Sequence, residues 1–199
     1  MDFVERPKIS TPPISYLSFD EVENLIIESS KTRYLPLIML AISSGMRRSE
    51  LLGLKWKNVD LERMSISVEQ ILYTLRGGRQ VFGQPKSKSS RRRIDLDRFN
   101  VDMLKTLRDS TRDRLGESFS HETTVFSDLD GKPWKSSGVS QGVKALLTKI
   151  GRPDVHLHGL RHTTASNLLS LGVHMKIVQE IHMKIYYLQK KLLIKLEMK

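Results

Sequence analysis

Along most of this chain apolar residues fall at helical spacing, and one block near the middle alternates instead. Residues 1–16 carry three prolines and little periodicity, which predicts a linker or arm. Ser18-Phe19-Asp20-Glu21 fits a capping box, and Val22, Leu25 and Ile26 supply the apolar side of the helix it starts. A second helix is predicted from about Arg33 to Ser44, with Pro36 tolerated in its first turn. Leu37-Ile38-Met39-Leu40-Ala41-Ile42 is apolar on most sides, so this helix belongs at the centre of the core. Gly45 ends it in a left-handed cap, and a short helix restarts near Ser49, anchored by Leu51, Leu52 and Leu54.

From Met64 to about Tyr73 the period becomes two, with Met64, Ile66 and Val68 alternating against Ser65, Ser67 and Glu69. Arg76-Gly77-Gly78-Arg79 reads as a turn, Gln80-Val81-Phe82 as a second extended run, and the stretch around Ile94 and Leu96 as a third. The expectation is one small antiparallel sheet with a very basic tip. Helices resume over about Phe99–Leu115 and again through Val139, Val143, Leu146, Leu147 and Ile150. Between them, residues 118–135 read as a loop with Val125-Phe126 buried and a turn at Asp130-Gly131-Lys132-Pro133. A last apolar-periodic run opens at His158 and ends at Leu171-Gly172. The fold class is therefore mainly α with a small antiparallel sheet.

Composition narrows what such a fold could do. The chain has 199 residues, enough for one sizeable core, and 39% of them are hydrophobic. There is no cysteine, which removes disulfides and thiolate chemistry and fits a cytoplasmic protein. No apolar run approaches a membrane-spanning length, and the first residues do not read as a signal peptide. The balance of 33 basic against 22 acidic residues leaves a net charge of +11, a field that draws polyanions, nucleic acid first among them.

Two stretches carry candidate chemistry for such a partner. In His158-Gly159-Leu160-Arg161-His162, a helix would project His158 and Arg161 from one face, with His162 one turn beyond His158. A guanidinium fork, an imidazole and a helix terminus together suit a phosphate oxygen. Far upstream, Arg47 and Arg48 stand just past the Gly45 cap, at the mouth of a new helix. Solvated polar residues on amphipathic helices would give the same local patterns. His158 and His162 are four apart, but without a third acidic ligand they predict no metal site.

Three blocks in order change the weighing: Gly45-Met46-Arg47-Arg48-Ser49-Glu50-Leu51, then Pro85-Lys86-Ser87-Lys88 before Arg91-Arg92-Arg93-Ile94, then His158-Gly159-Leu160-Arg161-His162. Together they resemble the catalytic domain of tyrosine recombinases, the phage- and transposon-type integrases, over about Leu17 to Gln179. The resemblance implies a helical domain with a small sheet at 17–180, residues 1–16 being the tail of an interdomain linker. It implies catalytic roles for Arg47, Arg161, His158 and a hairpin lysine, Lys86 or its rival Lys88. Arg48, Lys55, Lys88, Arg91, Arg92, Arg93 and His162 are expected to contact DNA. The implied reaction is cleavage and rejoining of double-stranded DNA through a tyrosine joined to the 3′-phosphate, without metal or nucleotide cofactor. The implied setting is the cytoplasm of a bacterium, with the gene belonging to it or to a phage.

The resemblance holds through Gly172-Val173-His174 to Glu180 and stops at Ile181. His182 lacks a preceding glycine, and Tyr186 and Tyr187 follow too soon to match the family's nucleophile. A reading-frame change or early truncation of the gene would produce such an ending. Ile181, Ile185, Leu188, Leu192 and Leu196 recur at helical spacing, so 181–199 is expected to form an amphipathic helix that lies on its own domain or on another integrase protomer. Two functions remain open: an integrase that cuts and rejoins DNA, and a DNA-binding remnant that keeps the phosphate clamp without the nucleophile. A basic nucleic-acid-binding structural protein with coincidental motifs is disfavoured by the three ordered blocks.

Overall fold

The structure is a computed structural model that describes residues 16–84, 91–161 and 163. Residues 1–15, Lys86, Lys88 and His162, and the segment with Tyr186 and Tyr187, for which the sequence sets expectations, lie outside the described residues.

Ser18 caps α1 (Phe19–Ser29) as its sequence requires: its hydroxyl accepts from the Glu21 N–H, and the Glu21 carboxylate accepts from the Ser18 N–H at 2.7 Å. The helix α2 (Leu35–Ser44) is buried along Leu37–Ile42 and packs against α1, against α3 (Arg48–Gly53) and against α4 (Arg98–Leu115). This central position is what an all-round apolar sequence demands. Gly45 closes α2 at φ 60°, in the left-handed region where a side chain is costly. Asp97 caps α4, accepting from the Asn100 N–H at 2.8 Å. The helix α5 (Ser136–Lys149) turns Val139, Val143, Leu146 and Leu147 inward against α1 and α3. The loop before it is held by buried Val125, Phe126 and Trp134, whose indole N–H donates to the Ser127 carbonyl at 2.7 Å. No helix among the described residues is long and apolar enough to cross a membrane.

The sheet departs from expectation. Among the described residues there are two sheets instead of one: β1 (Val59–Asp60), β2 (Ser65–Val68) and β5 (Arg92–Asp95) form the first, and β3 (Ile71–Thr74) with β4 (Gln80–Gly83) forms the second. All pairs are antiparallel, with Ile66 opposite Ile94 and Leu72 opposite Phe82. The run read as one strand from Met64 to Tyr73 breaks at Glu69-Gln70. There Glu69 accepts from the Asn58 side-chain amide at 2.7 Å, and the Gln70 amide donates to the Gly53 carbonyl at 2.7 Å. These bonds swing β3 off the first sheet and onto the end of α3. Met64, expected as the first inward position, sits in the turn before β2 at φ 51°.

The chain is helical again at 157–161 and at 163. Leu160 is fully buried, as its place in the apolar pattern predicts. The Thr163 hydroxyl donates to the Gly159 carbonyl at 3.0 Å and accepts the Leu17 N–H at 3.2 Å, so this helix is tied to the first described residues.

Candidate phosphate-binding site

The site grows from the break between α2 and α3. The left-handed turn at Gly45 redirects the chain so that Arg47, in extended conformation, becomes the residue capping α3. Glu50, in the first turn of that helix, reaches back. One carboxylate oxygen accepts the Arg47 backbone N–H at 2.8 Å, and the other accepts Arg47 Nη1 at 2.9 Å. A carboxylate near a helix N-terminus is favourable in itself. Glu50 is only 1% exposed, however, and burial of a charge needs more than that.

The remainder comes from β5. Arg92 places its fork on the same carboxylate, Nη2 at 2.9 Å from one oxygen and Nη1 at 3.2 Å from the other. Burial by itself pushes the Glu50 carboxyl up, and the bonds from Arg92 and Arg47 outweigh it, so the group stays ionised below the usual carboxylate range. Arg161 arrives from the 157–161 helix. Its Cγ lies 3.8 Å from the point where a side chain on Gly45 would begin, which puts its stem against the α2–α3 turn. Its guanidinium is pushed below its ordinary range, first by desolvation and then by the like charge of Arg47, while Glu50 acts in the opposite sense and Arg92 adds to the repulsion. Arg161 Nη1 is buried and has no hydrogen-bond partner among the described residues. Three guanidinium groups thus share the field of one carboxylate, and one buried donor among them has no hydrogen-bond partner among the described residues.

Beside this cluster lies a cleft of about 530 Å³ lined by Arg47, Arg48, Ser140, Lys144, His156 and His158. His158 is exposed there, on the helix that carries Arg161. The structure therefore brings Arg47, His158 and Arg161 together from stretches more than a hundred residues apart. Arg48 donates to the Ser140 hydroxyl at the cleft's rim. The other expected DNA contacts are placed differently. Arg91 is exposed and shares with Lys57 and Arg92 a second cleft of about 700 Å³ between the two sheets. Arg93 is exposed near Asp95. Lys55 is 2.8 Å from Glu122 and lies over the Phe82 ring at 4.5 Å, an arrangement that braces the β3–β4 hairpin. Sequence reasoning assigned no role to Glu50. The signal available was an acid three residues after Arg47, directly ahead of the apolar pair Leu51-Leu52.

Arginines and a histidine gathered around an unfilled donor can accept an anion with phosphate geometry. The comparisons make that class specific. The sequence profile described as "Phage integrase family" matches residues 15–183, and the chain belongs to that family. A XerC-like tyrosine recombinase of Caldanaerobacter subterraneus is 29% identical over 188 residues, covering 87% of this chain and 48% of the relative. The tyrosine recombinase XerA of Thermococcus kodakarensis is 31% identical over 183 residues, covering 89% of this chain and 57% of the relative. The chain thus spans about half the length of the curated relatives it matches. Among solved structures, the Tn1549 transposon integrase in complex with transposon right-end DNA superposes with a TM-score of 0.69 at 21% identity, over 86% of this chain and 58% of that one. A XerA recombinase crystal structure gives a TM-score of 0.63 at 25% identity, over 88% of this chain and 56% of that one. The fold is that of tyrosine-recombinase catalytic domains.

Proposed function

We propose that residues 17–180 form a catalytic domain that holds a phosphodiester of double-stranded DNA for cleavage and rejoining through a 3′-phosphotyrosine. The observation that carries this reading is the buried, partnerless Nη1 of Arg161 beside Arg47 and the His158 cleft. Cleavage passes through a crowded phosphorane whose non-bridging oxygens gain charge, and Arg47 and Arg161 are the groups to neutralise it. Removing one such donor costs about 10²–10³ in rate at comparable oxyanion sites. His158 serves the nucleophile or the release of the intermediate, and Lys86 or Lys88 protonates the departing 5′-oxygen. The phosphotyrosine link conserves the bond energy, so rejoining requires no nucleotide. Arg48 and the exposed Arg91 and Arg93 add contacts to neighbouring phosphates, which position the duplex without reading its sequence. The work belongs where the DNA is, in the bacterial cytoplasm.

We propose further that this chain binds DNA without forming the covalent link. Tyr186 and Tyr187 stand out of register with the family's nucleophile, and the matching motifs fade after Glu180. Misplacing a nucleophile by an ångström already costs on the order of 10²-fold. The apolar spacing of 181–199 suits a helix that docks on another protomer. A duplex carrying a nick beside the cleavage point tests the whole proposal, because it traps any covalent protein–DNA link. Binding without an adduct is expected. An adduct mapped by mass spectrometry to Tyr186 or Tyr187 would overturn the second proposal and keep the first. A chain that does not bind DNA would overturn the first.

A further inference from the structure

Arg92 was expected on the DNA, yet its guanidinium is turned inward onto Glu50, and its side chain is only 30% exposed. A carboxylate offers about four acceptor positions. Those of Glu50 are filled by the Arg47 N–H, by Arg47 Nη1 and by the two arms of Arg92. Without Arg92, two of these positions would open on a buried negative charge, and such a charge takes whatever donor is in reach. Two sets of donors stand ready: the remaining N–H groups of Arg47, whose Nη1 is already on the carboxylate, and Arg161 Nη1, buried, partnerless among the described residues and within the field of Glu50.

We infer that Arg92 is a positioning residue, occupying both oxygens of Glu50 so that Arg47 and Arg161 keep their free donors for the phosphate. The inference rests on the reading of this site as a phosphate clamp. It explains why an arginine is used: only a planar fork covers both oxygens at once, whereas a lysine would cover one. It also separates two functions in the basic run Arg91-Arg92-Arg93 at the start of β5, since Arg91 and Arg93 are exposed while Arg92 faces the core of the site.

The test uses the full chain with inorganic phosphate as probe, following the Nε–Hε signals of Arg47 and Arg161 by NMR in protein labelled with ¹⁵N-arginine. In the native chain phosphate should shift both signals to saturation. In R92Q the phosphate affinity should fall about tenfold or more, the cost of diverting one charge-assisted hydrogen bond to Glu50. In the double variant E50Q/R92Q affinity should return to within about threefold of the native value, because no carboxylate remains to capture either arginine. A brace that only joined β5 to α3 would give no such recovery. R92Q binding phosphate as tightly as the native chain, or E50Q/R92Q binding as weakly as R92Q, overturns the inference. Should R92Q fail to fold, R92K replaces it: about a threefold loss, recovered in E50Q/R92K, is expected, and a loss without recovery overturns it. If the native chain shows no response to phosphate, the clamp reading falls and this inference with it. A native response with unchanged R92Q removes the inference alone.

Discussion

Replacing Arg161 by methionine should make the protein more stable and remove its response to phosphate. In the free protein Arg161 is a burden. Its Nη1 is buried without a partner, its charge is desolvated, and Arg47 and Arg92 repel it more than Glu50 can offset among three cations and one anion. A buried unsatisfied donor costs about 1–3 kcal/mol, more when charged. Arg161 is half-buried rather than enclosed, so the lower end applies and about 1 kcal/mol is the expected gain. Methionine keeps an unbranched stem where Arg161 Cγ packs by the Gly45 turn, so little contact is lost. In a domain of this size 1 kcal/mol moves the melting temperature by about 2–4 °C. Phosphate at ten times its dissociation constant should add about 1.4 kcal/mol to the native chain and nothing to R161M. Melting curves with and without phosphate should therefore show R161M higher in plain buffer and the native chain level or ahead in phosphate. R161M melting below the native chain in plain buffer would refute the view that Arg161 is held at a cost. An equal phosphate gain in both proteins would refute its role in the clamp.

Other expectations are more direct. Gly53→Ala would place a Cβ 2.9 Å from backbone atoms of Ile71 and Leu72, which cannot yield as a side-chain tip can, so it should destabilise by about 1–3 kcal/mol. Gly138→Ala, in α5 with nothing within 4 Å, should stabilise by about 0.5–1 kcal/mol, and thermal melts of the two should move in opposite directions. Glu50 and Glu21 both hold their carboxyls below the ordinary 4.5: in each, burial pushes up and is outweighed, by Arg92 and Arg47 for Glu50 and by Ser18 and Arg152 for Glu21. Their stabilisation is thus complete above pH 4.5 and lost as pH falls through their lowered values, so acid melts should be flatter in Glu21→Gln than in the native chain. DNA affinity should fall steeply with salt and vary little with sequence, given the +11 charge, and a flat titration from low to high salt would contradict it.

What the sequence disclosed and what it hid follow one physical division. Helices were legible because each carries its own evidence: the Ser18–Glu21 capping box, the apolar run at Leu37–Ile42, the left-handed cap at Gly45. The three ordered motifs likewise pointed to Arg47, His158 and Arg161, which the fold brings to one place. The sheet was misread where the deciding partners lie far along the chain. Nothing local tells that Gln70 will bond the Gly53 carbonyl, or that Val59-Asp60 will become an edge strand beside Ser65-Ile66. Glu50 was hidden for the same reason. An acid in a helix's first turn reads as an exposed dipole partner, and only Arg92, from a strand that joins it in three dimensions, shows it to be buried.

That division bears on how the clamp is held. Arg161 and His158 sit at the end of the described chain, on a helix that contributes Leu160 to the core. Apolar packing is not directional, so holding two side chains to ångström precision needs more than Leu160 in the core. The fold adds polar ties on either side of them in the chain. Thr163, 1% exposed, links the Gly159 carbonyl to the Leu17 N–H. Ahead of the helix, Arg152 donates to Asp154, to Glu21 at 2.7 Å and to the Tyr16 carbonyl at 3.0 Å. The segment leading into the domain is therefore stapled on either side of the residues that would meet the phosphate. These ties run to Tyr16, the last residue of the stretch expected to be a linker, and to Leu17, the first after it, so the entry of the chain is fastened to the turn and helix that carry His158 and Arg161.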